Sequence, residues 1–342
     1  MDLFQLTRAL VDIQSITNHE DAVGEFLFEA LTGLAGRSGG FVERCPVEGR
    51  RFNVFARWGE PTVTLSTHMD TVPPFFASRE DADFIWGRGS ADAKGIIASM
   101  IGAAEQLVAA GSRNFGLLFV VGEERDSAGA LAAARDPRGS RFLINGEPTE
   151  NQLVLAAKGI LRYEIEATGK LAHSAYPELG ESAIDNLLDA LQEIRKIPLP
   201  EDEILGRSSL NIGVISGGRA PNVISDAARA EISFRLVGSP DGLRQAVERA
   251  VAGRAHARQV FSMPPMWFNT VDGIPTTVVS FTTDVPAFGN AWGEPFLLGP
   301  GSIHVAHTLE ERVPKEELVA AGEIYKSLVT QLLTRPDEVR RP

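Results

Sequence analysis

Thr62-Val63-Thr64-Leu65-Ser66-Thr67-His68-Met69-Asp70 decides the fold of this chain. A strand-like run ends directly in a histidine and an aspartate. The arrangement recurs twice. Phe115-Gly116-Leu117-Leu118-Phe119-Val120-Val121-Gly122 runs into Glu123-Glu124, and Phe142-Leu143-Ile144-Asn145-Gly146 runs into Glu147. A fourth acidic position, Asp92, lies in Gly87-Arg88-Gly89-Ser90-Ala91-Asp92-Ala93-Lys94-Gly95, just before a helix-like stretch. In an open α/β sheet, ligands collect at the carboxyl ends of the strands. Polar groups from several strand ends then converge in one crevice. One histidine with several carboxylates is a ligand set for zinc or a similar divalent metal.

Working outward, residues 1–13 carry Asp2, Arg8 and Asp12 among apolar positions and read as an amphipathic helix, with no signal peptide visible. Asn18 is expected to cap a helix running from Glu20 through Leu31, with Asp21 in a shortened capping box. Lys94 to Ala110 is a second helix, ended by Gly111. Helices alternate with strand-like runs up to about Ala157. That predicts an α/β layer, a mainly parallel sheet with helices on both faces.

The pattern then changes. Residues 161–167 and 228–236 alternate apolar and polar, as strands with one wet face do. Between them Ile184, Leu187, Leu188, Leu191 and Ile194 form one helical stripe. A helix from Pro240 to about Val251 and a strand from Ala255 to Phe261 complete a β-α-β-β-α-β order. Residues 158–262 therefore read as a ferredoxin-like α+β module. It is inserted into a first domain formed by residues 1–157 and 263–342, which ends in a helix over Glu316–Leu333.

The 342 residues can bury a large core. Lys and Arg total 33 against 45 Asp and Glu, a net charge of −12, which disfavours a nucleic-acid partner. No apolar run reaches the length of a membrane span. The single cysteine, Cys45, forms no intrachain disulfide and fits a reducing cytoplasm.

Each candidate group has a stated task. Asp70 can hold the His68 imidazole by accepting its second N–H. Glu123-Glu124 follows an apolar run, where adjacent like charges call for a compensating cation. One Glu can bind metal while the other serves as general base on a metal-bound water. The glycines at 87, 89 and 95 lack the spacing of a dinucleotide fingerprint. In Gly299-Pro300-Gly301-Ser302-Ile303-His304-Val305-Ala306-His307, inward N–H groups of Gly299 and Gly301 suit a substrate carboxylate, and either histidine can be a surface residue.

At this point the chain resembles the di-zinc hydrolase family that holds aminoacylase, acetylornithine deacetylase, succinyl-diaminopimelate desuccinylase and glutamate carboxypeptidase. The matching stretches, in family order, are residues 68–73, 87–95, 122–124, 146–149, 169–174, 220–224 and 306–308. The resemblance implies that Asp92 bridges two zinc ions. His68 and Glu147 complete one site, Glu124 and His307 the other, with Co2+ or Mn2+ as possible substitutes. His307 rather than His304 fits the final ligand, because Glu311 stands four residues beyond it. The resemblance further implies a cis peptide between Asp92 and Ala93 and a catalytic set of Glu123, Asp70 and His173. The inserted module becomes a lid and dimerisation domain. His173 there polarises the scissile carbonyl, reaching into the partner of a homodimer. Asn222 touches substrate, and Arg235 either touches substrate or closes a salt bridge within the lid. Residues Met263–Phe268 carry no cation, which argues against recognition of an acidic side chain and suits hydrophobic hinge packing.

The expected enzyme is a cytoplasmic zinc-dependent amidohydrolase of N-acyl amino acids or short peptides. An acetylornithine deacetylase-like deacylase comes first, because residues 146–150 and the compact length look most like that branch. A carboxypeptidase or dipeptidase comes second. A non-catalytic metal-binding dimerisation module is the reading from a different class.

Overall fold

The computed structural model describes residues 2–336; Met1 and residues 337–342, at the two ends of the expected first domain, lie outside the described residues. The chain divides into two compact units. The first comprises Met1–Leu155, Phe268–Thr277 and Thr283–Pro342, and the second comprises Ala156–Trp267 and Val278–Thr282.

The first unit opens with helices α1 (Leu3–Asp12) and α2 (Asp21–Ser38) and strands β1 (Phe41–Glu48), β2 (Arg51–Trp58) and β3 (Val63–His68). Helix α3 (Gly95–Ala109), strand β4 (Phe115–Val120), helix α4 (Ala128–Arg135) and strand β5 (Phe142–Asn145) follow. The second unit holds β6 (Gly159–Thr168), α5 (Ala183–Arg195), β7 (Ser209–Gly217), β8 (Ala227–Leu236), α6 (Asp241–Val251) and β9 (His256–Met263). The chain ends in α7 (Val285–Phe288), β10 (Glu294–Leu297) and α8 (Lys315–Thr334) of the first unit.

The large sheet has the order β1-β2-β4-β3-β5-β10. The four strands from β4 to β10 run parallel, while β1 and β2 join antiparallel at one edge. Alternation along β4 shows how the sheet is covered on both faces. Leu117 and Phe119 join the core under α2, α3 and α8, whereas Leu118 and Val120 pack with Ala130, Ala133, Phe288 and Trp292 on the other side. Burying each such side chain is worth about 1.5–3 kcal/mol. Both layers therefore press β3, β4 and β5 into one register, with their carboxyl ends at the same edge.

One local expectation fails. Asn18 does not cap α2; it lies at φ +78°, and the capping position falls to Glu20, whose side chain caps nothing. Glu20 is instead paired with Arg51 in a buried bidentate contact. That ion pair, made with a residue on β2, outcompetes the local cap.

The second unit is an antiparallel sheet of order β7-β8-β6-β9. This is the ferredoxin-like arrangement. Leu161, Tyr163, Ile165 and Ala167 point to one face, as do Ala230, Ile232 and Phe234, and helices α5 and α6 cover it. Leu188 leaves the predicted stripe: it is 50% exposed while Leu187, Leu191 and Ile194 are buried. The opposite face carries Arg162, Glu164, Glu231, Ser233 and Arg235 by strict alternation.

Candidate metal centre

Four segments of the first unit bring their polar ends together. His68, the last residue of β3, is buried. Its Nδ1 lies 3.0 Å from the Asp70 main-chain oxygen, and its Nε2 lies 2.9 Å from Asp92 Oδ1. A proton on Nδ1 donated to that carbonyl leaves Nε2 facing the site. Asp92 comes from a kinked turn, residues Ser90–Lys94, and the Asp92–Ala93 peptide is cis. Its second oxygen, Oδ2, lies 3.4 Å from His307 Nε2, which is also 3.0 Å from Glu124 Oε1. Asp92 thus offers one oxygen to each histidine, the geometry of a bridging carboxylate. One ligand atom from each of His68, Asp92 and Glu124 falls within 4.8 Å of the others. His304 is exposed and makes no hydrogen bond or ion pair among the described residues.

The electrostatics of this cluster are unbalanced. Burial, and then the Glu147 charge, pushes the Glu123 carboxyl well above the carboxylate range. Burial, and then the Asp92 charge, does the same to Glu147, whose Oε1 has no hydrogen-bond partner. Glu124 is raised by burial too, against the pull of His307. Burial would also raise Asp92, but hydrogen bonds from His307 and His68 hold it below its usual value. Contacts with Asp92 and Glu124 lift His307 to about 10. Two divalent cations would offset the carboxylate repulsion and give the orphaned Glu147 oxygen a partner. Two imidazoles and three carboxylates suit zinc, and cobalt or manganese as well.

Asp70 needs correction. Its carboxylate is 3.5 Å from His68 Nδ1, farther than its own main-chain oxygen. The carboxylate instead accepts the backbone N–H groups of Gly122, Glu123 and Glu124 at 3.0, 3.1 and 3.2 Å, and the Thr17 hydroxyl at 2.8 Å. It organises the turn that carries the two glutamates. Gly122 at φ +83° lets that turn close.

Gly299 and Gly301 also depart from expectation. The Gly299 N–H donates to Thr149 Oγ1 at 3.0 Å, and the Gly301 N–H to Glu317 Oε2 at 2.7 Å. Both donors are engaged within the chain, so neither is free for a substrate carboxylate. A Cβ at Gly299 would meet the Glu147 carbonyl and the Tyr325 hydroxyl, so this glycine serves close packing behind a site residue.

Thr17, Asp284 and Glu311 carry no local sequence signal of a role at this site. Glu311 is fully buried. Within a run of Glu310, Glu311 and Arg312 it is indistinguishable from a solvated charge cluster. Asp284, at the start of α7, is also buried, and neither carboxylate oxygen has a hydrogen-bond partner.

In the second unit, His173 and Asn222 are neighbours. His173 pairs with Val223 in a two-stranded ladder, and the Ser174 N–H donates to the Asn222 carbonyl at 3.0 Å. The Ala175 N–H donates to His173 Nδ1 at 3.1 Å. An accepting Nδ1 places the proton of the neutral ring on Nε2. Arg235 makes no ion pair among the described residues, and its Nη1 has no hydrogen-bond partner. The lid salt bridge is therefore absent, and burial lowers this guanidinium from its ordinary value. Trp267, in the cation-free segment, is 53% exposed, while Phe268 is buried.

The sequence model of peptidase family M20/M25/M40 matches residues 64–331, well over half of the chain. The chain belongs to that family. It is accordingly a metal-dependent hydrolase. A probable carboxypeptidase of Aspergillus flavus is 38% identical over 97% of this chain and 90% of its own length. One from Aspergillus terreus is 40% identical over 94% and 84%. The fold is that of aminopeptidase PepT from Bacillus cereus, with TM-score 0.79 and 21% identity over 97% of this chain and 98% of that one. It is shared with an M20 metallo-carboxypeptidase of Sulfolobus solfataricus, with TM-score 0.76 and 16% identity over 97% and 99%. YXEP of Bacillus subtilis, a dinuclear metal-binding peptidase, matches with TM-score 0.69 and 17% identity over 97% and 98%. No helix among the described residues is long and apolar enough to cross a membrane.

Proposed function

We propose that this M20 member is an exopeptidase, a carboxypeptidase before a dipeptidase, working with two divalent ions, zinc foremost. The observation that carries the two-metal reading is Asp92, with Oδ1 at His68 and Oδ2 at His307. The names of the curated relatives support a peptide substrate and move the acetylornithine-type deacylase from first to second place.

His68, Asp92 and Glu147 would hold one ion, and Asp92, Glu124 and His307 the other. When bound, the ions supply Lewis acidity and lower the pKa of water. Glu123 takes the proton of the attacking water and hands it to the leaving amine, a role suited to a carboxyl raised by burial. Asp70 fixes the backbone from which Glu123 projects. His173, with its proton on Nε2, donates to the developing oxyanion. In our reading it does so in the partner's site of a homodimer formed through the second unit, which acts as the lid. Asn222 and the unpaired Arg235 hold the substrate, with Arg235 on its terminal carboxylate.

The test is metal analysis with a substrate panel: N-blocked dipeptides, their C-terminal amides, free dipeptides and acetyl-amino acids. The expected result is about two divalent ions per chain and cleavage of blocked dipeptides only when the terminal carboxylate is free. Preference for acetyl-amino acids restores the deacylase. Metal uptake without hydrolysis supports the non-catalytic module.

A further inference from the structure

We infer that Glu311, backed by Arg88, is a positioning residue that clamps the backbone of the bridging Asp92. Glu311 Oε1 accepts three main-chain N–H groups, from Gly89 at 2.9 Å, Ala91 at 3.3 Å and Asp92 itself at 3.2 Å. Its other oxygen pairs with the Arg88 guanidinium, and both side chains are about 1% exposed. The Gly87 N–H donates to the Glu311 carbonyl at 3.1 Å, so the clamp runs along the whole turn. Strand Arg312–Pro314 then pairs antiparallel with Phe84–Trp86, which anchors Glu311 from its far side.

Three donors from one turn on a single carboxylate oxygen fix the orientation of that turn. Asp92 leaves it with two oxygens committed to two different histidines, so a small rotation would break one contact. Glu311 also sits four residues beyond His307 in the same loop. It therefore ties the segment carrying the bridging ligand to the segment carrying the final ligand. Arg88 holds the Glu311 charge and keeps Oε1 turned toward the backbone. In Glu311→Gln, the guanidinium would draw the amide oxygen to itself and leave an NH2 group facing three N–H donors.

The inference rests on the two-metal reading, and cobalt separates the two. Full-length protein stripped with a chelator is titrated with Co2+ and followed by visible absorption and by magnetic coupling between the ions. Wild type is expected to bind two coupled ions. Glu311→Gln keeps every ligand, yet its affinity for at least one ion should fall by about 10- to 100-fold, the range for groups that orient ligands, with weakened coupling. Arg88→Met/Glu311→Gln removes the competing guanidinium, lets the amide oxygen return to the three N–H groups, and should recover most of the affinity. Wild-type affinity and spectrum in Glu311→Gln overturn the inference. So does a fall in melting temperature with unchanged cobalt binding. Should Glu311→Gln not fold, the double variant decides: binding near wild type supports the clamp, and a large loss overturns it in favour of charge alone. A wild type that takes only one ion sinks the two-metal reading; loss of that ion's affinity in Glu311→Gln then still supports the clamp, and no loss overturns it.

Discussion

Asp70 Oδ1 accepts the backbone N–H of Glu123 at 3.1 Å, so the group that orients the proposed base lies two residues past the sheet strand that ends in His68. In Asp70→Asn one oxygen can still serve Gly122 and Glu123, but the amide nitrogen cannot accept from Glu124 or Thr17. We expect kcat to fall roughly 10- to 100-fold, with a smaller change in KM, and stability to drop by on the order of 1–3 kcal/mol from stranded donors. Steady-state kinetics beside a denaturant melt measure both. An unchanged kcat rejects the positioning role.

Glu123→Gln isolates proton transfer from coordination. The amide fills the same space and cannot take a proton. Turnover should fall about 100- to 10,000-fold, the usual worth of general acid–base catalysis. Metal content, read by elemental analysis, should stay at the wild-type ratio. Activity within a few-fold of wild type removes Glu123 from the base assignment.

These two residues also show where sequence reasoning succeeds. The apolar runs before His68, Glu124 and Glu147 end at one sheet edge because parallel strands must, and that follows from local pattern. The partners of Asp70 do not. The three backbone donors lie 52 to 54 residues later and Thr17 lies 53 residues earlier, and nothing in His68-Met69-Asp70 distinguishes a ring acceptor from a backbone acceptor. The Gly299–Gly301 turn misleads for the same reason. Its N–H groups look free until Thr149 and Glu317 are brought against them. Local periodicity predicted the sheet and helices; long-range polar contacts assign the tasks.

The two histidines of the last loop should behave differently. His307→Ala removes a contact to both Asp92 and Glu124, and metal occupancy should drop toward one ion per chain. His304 is exposed, so His304→Ala should leave occupancy intact. Dialysis against a graded chelator series followed by metal analysis gives the comparison. The reverse pattern moves the ligand role to His304.

Asp284 supports a pH prediction for the metal-stripped protein. Burial pushes its carboxyl up to about 7 against the pull of the Ser127 hydroxyl, which makes no hydrogen bond of ordinary geometry to it. A carboxyl whose folded pKa is raised opposes folding once the unfolded chain ionises. The penalty is absent below about pH 4, grows up to about 7, and is constant above. Asp284→Asn should therefore match wild type near pH 4 and be more stable at pH 8, by on the order of 2–4 kcal/mol. Urea melts at both pH values test this. An equal gap at the two values shows that ionisation is not the cause.

His173 carries the last prediction. Its Nδ1 is occupied by the Ala175 N–H, so only Nε2 is left to donate, and the side chain is exposed on the second unit. A donor held in one tautomer is suited to an oxyanion, but it needs a site to reach. If that site belongs to a partner, two dead variants can repair one another. His173→Ala and Glu123→Gln are each expected to be inactive. After subunit exchange, each heterodimer holds one site with both defects and one with neither. Random mixing of equal amounts should restore about a quarter of wild-type activity per chain, because half the dimers are mixed and each has one sound site. Exchange is monitored by differently labelled chains, and sedimentation gives the oligomeric state. A strictly monomeric protein, or no recovery after proven exchange, places His173 outside the partner's site.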